Sequence, residues 1–482
     1  MSVLTTYQAP YRASLLATLV LLLTLIQGTS FTLTVAFRLE AGTGPITSFV
    51  TLAWLLSYLL ALLGLVMTFG VNWLTWLVRY RLTLTLVLAG VAFSALWSLD
   101  TELTIERSIH LIGSTIIAFY IGFSLPLARL LKLSGLVLGF LMVISALTAL
   151  TFPAWGLEEY EGRQVWRGML ASKNTLGFWA TISILLFATL ASWSQPLLNR
   201  CIYFALLIVS IVCLAFSVSA TSALSLLIAA MVMIYLHLAF SLRLGLIAMF
   251  VLGVLVCALA GIAFYYIDTA ELIGRSGDLT GRGEVWKQTW ELILEKPLTG
   301  YGYGTIWYPV DESVWIQKQL TDFTWIVFHA HNGLLQVASE IGLPLTILTL
   351  FMIFQQLIEI VYCQYQRQQQ GVLFVLGFTV ALLVSNYSEA RLLVNRELFW
   401  IFFVALPISM LQQVTVISNN AGFNPVPKPI SPRTLEKVNV GRSQVMQRRA
   451  LKGRLKQRRS NVIIDNEAVG EIKPNHRSGG NS

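Results

Sequence analysis

The chain has 482 residues, of which 56% are hydrophobic and only 12% charged, and it carries a formal net charge of +9. A water-soluble domain is about 25% charged, whereas uncharged apolar runs recur here from Ser14 onward. A soluble globular fold is therefore excluded, and the composition predicts an all-α polytopic membrane protein.

Taken in chain order, the first apolar run continues to Val35 without a small-residue cleavage site, which predicts an uncleaved first span. Hydropathy places about twelve candidate spans in all. They lie near 13–36, 46–70, 82–98, 109–126, 132–152, 174–193, 201–217, 221–241, 244–267, 333–360, 371–386 and 398–416. Cys201, Cys213, Cys257 and Cys363 fall within or at the ends of these runs, which argues against a disulfide scaffold.

Alternate connections differ in chemistry. One set is short and basic, with Arg79, Arg81, Arg129, Lys132, Arg200, Arg243 and Arg367, and Arg12 precedes the first span. Short basic loops mark the cytoplasmic side, so both termini are predicted to be cytoplasmic. The opposite set, 37–45, 99–108, 153–173, 268–332 and 387–397, then faces outward. The implied location is a multi-pass membrane one, with the long and acidic loops on the outer face.

The charge is also partitioned. Residues 1–416 carry 20 Lys/Arg and 20 Asp/Glu, whereas residues 417–482 carry 13 and 4. The expected organisation is a neutral membrane domain over 1–416 and a basic, disordered cytoplasmic tail over 417–482. Its cations, Arg448 to Arg459 among them, suit anionic membrane lipid. Nucleic acid is not an expected partner, because no aromatics interleave with these cations.

Chemistry is concentrated on the outer set. The 268–332 loop is long for a connection without a role of its own. It opens a first motif at Gly281-Arg282-Gly283-Glu284-Val285-Trp286, where a guanidinium between glycines suits phosphate oxygens. Pairing of Arg282 with Glu284 or Asp278 is the structural alternative. A second motif, Pro297-Leu298-Thr299-Gly300-Tyr301-Gly302-Tyr303-Gly304, offers aromatic faces for sugar rings, or a turn with interfacial tyrosines. A third, His329-Ala330-His331-Asn332-Gly333, places two imidazoles at a span boundary, and imidazole titrates near neutrality. On a helix the i, i+2 spacing does not put both on one face. With no suitably spaced Cys or third His, no metal is expected. A fourth, Trp166-Arg167-Gly168 followed by Ser172-Lys173-Asn174, sets two cations and an amide at a helix start, where anions are favoured. Snorkelling cations are the alternative there. Glu340 is an acid inside an apolar run, by default a functional residue.

Together these motifs resemble the O-antigen ligase and polymerase superfamily of bacterial membrane glycosyltransferases. The carrying residues are Gly281-Arg282 with Trp286, Pro297 to Gly300 with Gly302, and His329-Ala330-His331-Asn332-Gly333 with Glu340 and Gly342-Leu343-Pro344. Trp97-Ser98, Arg107, Arg167-Gly168, Lys173-Asn174 and Gly177 support them upstream. One departure stands out. Where members often carry Ser-Arg-Gly, this chain reads Ser217-Val218-Ser219-Ala220-Thr221-Ser222, without a cation. Arg391 or Arg396 is the candidate replacement.

The resemblance implies transfer of a glycan from a polyprenyl-pyrophosphate carrier to an acceptor hydroxyl, by ligase or polymerase chemistry, with no cofactor and no metal. On that reading His331 and Arg282 are catalytic. Arg167, Lys173, Asn174, His329, Asn332, Glu340, Tyr301 and Tyr303 are substrate-binding, with Asn332 orienting His331 and Trp307 and Trp315 also lining the glycan path. The expected partners are the lipid-linked donor, a glycan, lipid or protein acceptor, and membrane lipid. A transporter of a small anion such as bicarbonate is the alternative. Transporters place polar groups at the midplane of broken, repeated helices, whereas here they gather on one face. A non-catalytic scaffold would not need such a cluster.

Overall fold

A computed structural model describes residues 11–28, 45–160, 162–193, 196–242, 253, 258, 282–307, 329–367 and 370–420. The candidate span at 244–267, most of the 268–332 loop, Gly281, Asp278, Trp315, Cys257 and the tail from 421 lie outside the described residues. The chain divides into a unit Met1–Ile417 and a unit Ser418–Ser482.

Among the described residues, the helices of nine residues or more all start in the first unit. They are α1 (Tyr11–Gly28), α2 (Pro45–Phe69), α3 (Asn72–Tyr80), α4 (Leu82–Phe93), α5 (Thr101–Ser124), α6 (Leu127–Thr151), α7 (Lys173–Ser192), α8 (Leu197–Ser217), α9 (Ala220–Ser241), α10 (Arg282–Glu295), α11 (Gly333–Arg367), α12 (Gln370–Ser385) and α13 (Leu398–Asn420). Among the described residues, six helices are long and apolar enough to cross a membrane: Phe49–Phe69, α6, α7, α8, α9 and Gly333–Gln366. Three shorter apolar helices accompany them. The outward faces are apolar too, with Leu56, Leu59, Phe140, Phe204 and Ile347 exposed. In water such a surface would aggregate, and in lipid it is solvated. The protein is an integral membrane protein.

Two departures from simple spans matter. α3 and α4 meet at a bend of 93°. α5 carries Glu102, Glu106, Arg107 and His110 in its first half, so it is not among the six. The sequence also missed a two-stranded hairpin, β1 (Leu157–Tyr160) with β2 (Arg163–Trp166), paired antiparallel. It turns at Gly162, whose φ is +70°, and Trp166 stacks on Phe216 at 4.7 Å.

The core centres on α7. Leu176, Phe178, Trp179, Ile182 and Phe187 are buried on it, and α6, α8, α9 and α12 pack around it. Its start is capped by Ser172, whose hydroxyl accepts the Thr175 N–H at 3.2 Å. That cap replaces one backbone partner the first turn lacks. The starts of α7, α9, α10 and α11, the end of α12 and the 386–397 connection then meet at one end of the bundle, as the contacts of Asn174, Ser219, Thr221, Arg282 and Gly333 require.

α11 is broken at Gly342, where φ is +79°. Pro344 has no N–H to give to the Glu340 carbonyl, and Leu343 donates to the Pro297 carbonyl at 2.8 Å instead of back along the helix. The two carbonyls thus freed are filled from outside: Tyr301 N–H donates to Ser339 at 3.0 Å and Gly302 N–H to Glu340 at 2.9 Å. The approach requires glycine at 300, because its φ is +65° and a Cβ there would lie 2.5 Å from the Glu340 backbone.

Candidate active site

The His-Ala-His strap enters the site in a strained conformation. His331 has φ +48°, a left-handed backbone that costs a non-glycine residue energy and often marks function. Its ring lies 4.0 Å from that of His329. The strap is held on both sides. Trp286 Nε1–H donates to the His331 carbonyl at 3.3 Å, Ala330 N–H donates to Gln336 Oε1 at 2.8 Å, and Gly333 N–H donates to the Asn386 carbonyl at 2.8 Å.

Glu389 joins the parts. Asn174 Nδ2 donates to its Oε1 at 2.9 Å, Arg282 Nη2 reaches the same oxygen at 3.5 Å, and His329 Nε2 stands 4.0 Å from Oε2. Around them, Ser219 donates to Asn174 Oδ1 at 3.3 Å and Thr221 meets Ser388 at 2.6 Å. Burial pushes the Glu389 carboxyl up, but Arg391, His329, Arg282 and His331 outweigh it and hold it below its usual value. Burial also pulls both imidazoles down. His331 falls to about 3, helped by His329 and Arg282 and opposed by Glu389. His329 is lowered as well, with Glu389 opposing and Arg391 and Arg282 helping. Both rings are therefore neutral at pH 7, and a neutral imidazole can accept a proton.

Three ligand atoms of His329, His331 and Glu389 lie within 4.8 Å of one another. The sequence sought a third Cys or His and could not see that a distant carboxylate completes the group. The geometry nevertheless fits a cation poorly. His329 Nδ1 accepts the His331 N–H at 3.1 Å, which places its ring proton on Nε2, the atom facing Glu389. Arg282 also bears on that carboxylate.

Of the residues singled out in the sequence, Arg282, Asn174, His329 and His331 come together. The others do not join them as expected. Asn332 does not orient His331: its Oδ1 caps α11 by accepting the Leu334 and Leu335 N–H groups at 3.0 and 3.1 Å, and its Nδ2 donates to the Tyr387 carbonyl at 3.2 Å. Arg167 donates through Nε to the Trp155 carbonyl at 3.1 Å, which ties it to the hairpin. Lys173 lies 3.4 Å over the Tyr160 ring and donates to the Val218 carbonyl at 3.3 Å, so it braces the turn that lacks an arginine. Glu340 is buried and accepts from Gln336, acting on the strap only through that side chain. Tyr301, Tyr303 and Trp307 are buried. Tyr301 donates to Glu295 at 2.7 Å and Tyr303 to the Leu393 carbonyl. Sequence reasoning missed Glu389. Its signal was charge between two uncharged helices: Glu389, Arg391, Arg396 and Glu397 fall within one short connection.

The chain that builds this site is similar to known proteins. Residues 204–350 match the family model described as O-antigen ligase. They contain Arg282 and the whole His-Ala-His strap. The exopolysaccharide production protein ExoQ of Rhizobium meliloti (strain 1021) is 27% identical over 354 residues, covering 69% of this chain and 78% of that protein. Both findings bear out the resemblance to the O-antigen ligase and polymerase superfamily.

Proposed function

We propose that this protein acts in cell-surface polysaccharide synthesis as a glycosyltransferase, moving a glycan from a polyprenyl-pyrophosphate carrier to an acceptor hydroxyl outside the bacterial inner membrane. The observation that carries this reading is the convergence of two neutral imidazoles, Asn174 and Arg282 on the Glu389 carboxylate. The family match and the ExoQ relative support it.

In the proposed step the bond from the sugar's anomeric carbon to the phosphate oxygen breaks, and its electrons leave with the pyrophosphate. The acceptor oxygen bonds to that carbon, and its proton passes to His331. Arg282 stabilises the charge that grows on the leaving oxygens. His331 is by itself a weak base, because burial, His329 and Arg282 depress it. A pyrophosphate brought beside it adds negative charge, which raises its basicity as the donor binds. Glu389 holds Arg282 and the Nε2–H of His329 in place. The reaction needs no metal on this reading, since pyrophosphate is already a good leaving group and the His329 tautomer faces Glu389 with a proton.

The test is transfer by the purified protein in neutral-lipid nanodiscs, with a polyprenyl-pyrophosphate glycan as donor. Wild type should release polyprenyl pyrophosphate only when acceptor is present. His331→Ala should reduce transfer about 100-fold or more, in line with loss of a general base. Full transfer by His331→Ala would refute the assignment, and loss of transfer on chelation would refute the metal-free step.

A further inference from the structure

Arg391 stands apart from the other arginines. Its guanidinium carbon lies 4.4 Å from the centre of the Phe178 ring and 5.2 Å from that of Phe399. Those two rings are themselves packed edge to face at 4.7 Å, and both are buried. Its backbone N–H donates to Asn386 Oδ1 at 2.9 Å. Asn386 also accepts the Gly333 N–H at the root of the strap, so Arg391 is fixed in register with His331. Among the described arginines that are not exposed, Arg81, Arg107, Arg129, Arg167, Arg282 and Arg396 each donate a side-chain hydrogen bond. The Arg391 guanidinium makes none to a described residue, and its Nε is buried without a partner. Glu389 and Glu397 bear on its charge, yet no ion pair within 4.0 Å forms with either among the described residues.

Aromatic faces favour a guanidinium cation but take none of its N–H groups. Clamped so, the fork cannot turn away, and its in-plane donors stay available to a planar or tetrahedral oxyanion. Glu389 does not fill that need, because Oε1 is engaged by Asn174 and Arg282 and Oε2 faces His329.

We propose that Arg391 is a second anion receptor of this site, which takes one phosphate of a diphosphate ester while Arg282 takes the charge at the reacting oxygen. This rests on the pyrophosphate-donor reading above. Arg282 is supplied by α10 and Arg391 by the 386–397 connection, so the receptor is assembled only in the folded chain. A buried guanidinium nitrogen without a partner costs stability, and a bound oxyanion would supply the hydrogen bonds it lacks.

The test measures binding, apart from transfer. Full-length protein in phosphatidylcholine nanodiscs is titrated by calorimetry with glycan-free polyprenyl diphosphate, with inorganic pyrophosphate, and with phosphatidylglycerol. Arg391→Ala should weaken polyprenyl diphosphate binding by about tenfold or more, the scale of one charge-assisted contact. Arg391→Lys keeps the stacked charge without the fork and should fall between. The exposed hairpin variant Arg163→Ala should bind as wild type does. Melting temperatures of all three variants establish that they are folded. Equal binding by folded Arg391→Ala and wild type overturns the assignment, and so does an equal loss toward phosphatidylglycerol, which would mark general attraction to anionic lipid. If wild type binds inorganic pyrophosphate through Arg391 but not the polyprenyl ester, the anion receptor stands and the donor reading falls.

Discussion

At the far end of α11, Arg81 and Glu359 meet through two short contacts, Nη1 to Oε1 at 2.8 Å and Nη2 to Oε2 at 2.7 Å, with the Arg81 side chain 9% exposed. At the end where α11 begins, Arg282 reaches Glu389 through one contact at 3.5 Å, shares that oxygen with Asn174, and leaves the Arg391 guanidinium beside it with no hydrogen-bonding partner among the described residues. Both pairs join segments far apart in sequence. The first is a close ion pair of two contacts, one of them a hydrogen bond from Nη1 to Oε1; it is a brace. The second is loose and rich in positive charge around one carboxylate, with a strained histidine at its edge. Stable proteins keep such unsatisfied charge mainly where a ligand completes it. Geometry therefore separates two pairs that composition treats as alike.

The comparison can be broken at several points. Removing one partner of a buried pair strands the other, so Arg81→Ala should destabilise the protein by about 3 kcal/mol. The measurement is thermal unfolding in detergent. The double change Arg81→Met with Glu359→Leu should recover most of that loss, and failure to recover would mean the pair does more than brace.

Gly300→Ala should cost about 1–3 kcal/mol, because the left-handed backbone and the nearby Glu340 carbonyl leave no room for a Cβ. A melting temperature within error of wild type would contradict the account of the α11 break.

Acid should act on the other end. His331 titrates near 3 in the folded chain and near 6.5 when unfolded, so the unfolded state binds the extra proton between those values. Stability is then intact above pH 6.5 and declines as pH falls toward 3. Glu389, held low, loses stability in the same direction. His331→Asn should make the acid decline shallower, read from denaturation midpoints at pH 7 and pH 5. Identical slopes in variant and wild type would show that the imidazole is not depressed.

The smallest effect is expected for Tyr303→Phe, which removes one buried hydrogen bond to the Leu393 carbonyl worth about 1 kcal/mol. Transfer per folded molecule should be unchanged. A selective loss of transfer would restore the glycan-path reading of this tyrosine.

Much of this was legible in the sequence, for identifiable reasons. The apolar runs announced most of the described helices, because lipid demands length and freedom from charge. Arg282 and the His-Ala-His strap were legible because each is compact and lies at a span boundary. The Gly300 to Gly304 run was legible as a special turn, but not the burial of its tyrosines, Tyr301 on Glu295 and Tyr303 against the Leu393 carbonyl. The reason lies at Gly342 and Pro344, whose freed carbonyls the loop fills, and local pattern does not reveal that pairing. Asn332 looked like a catalytic aide because its role as a helix cap depends on where α11 starts. Lys173 and Arg167 are close in sequence, yet one faces the hairpin's Tyr160 and the other the Trp155 carbonyl. Arg391 was legible only as one of two candidate replacements for a missing arginine, and Glu389 became visible only when the 386–397 connection folded back onto the strap.

The most direct test compares glycan transfer per folded molecule, with polyprenyl-pyrophosphate donor, for Arg282→Lys and Arg81→Lys. Each change keeps the charge and removes the planar fork. The account predicts that Arg282→Lys loses transfer about 100-fold at an unchanged melting temperature, while Arg81→Lys melts earlier and transfers normally. Normal transfer by folded Arg282→Lys, or a selective loss in Arg81→Lys, would contradict it.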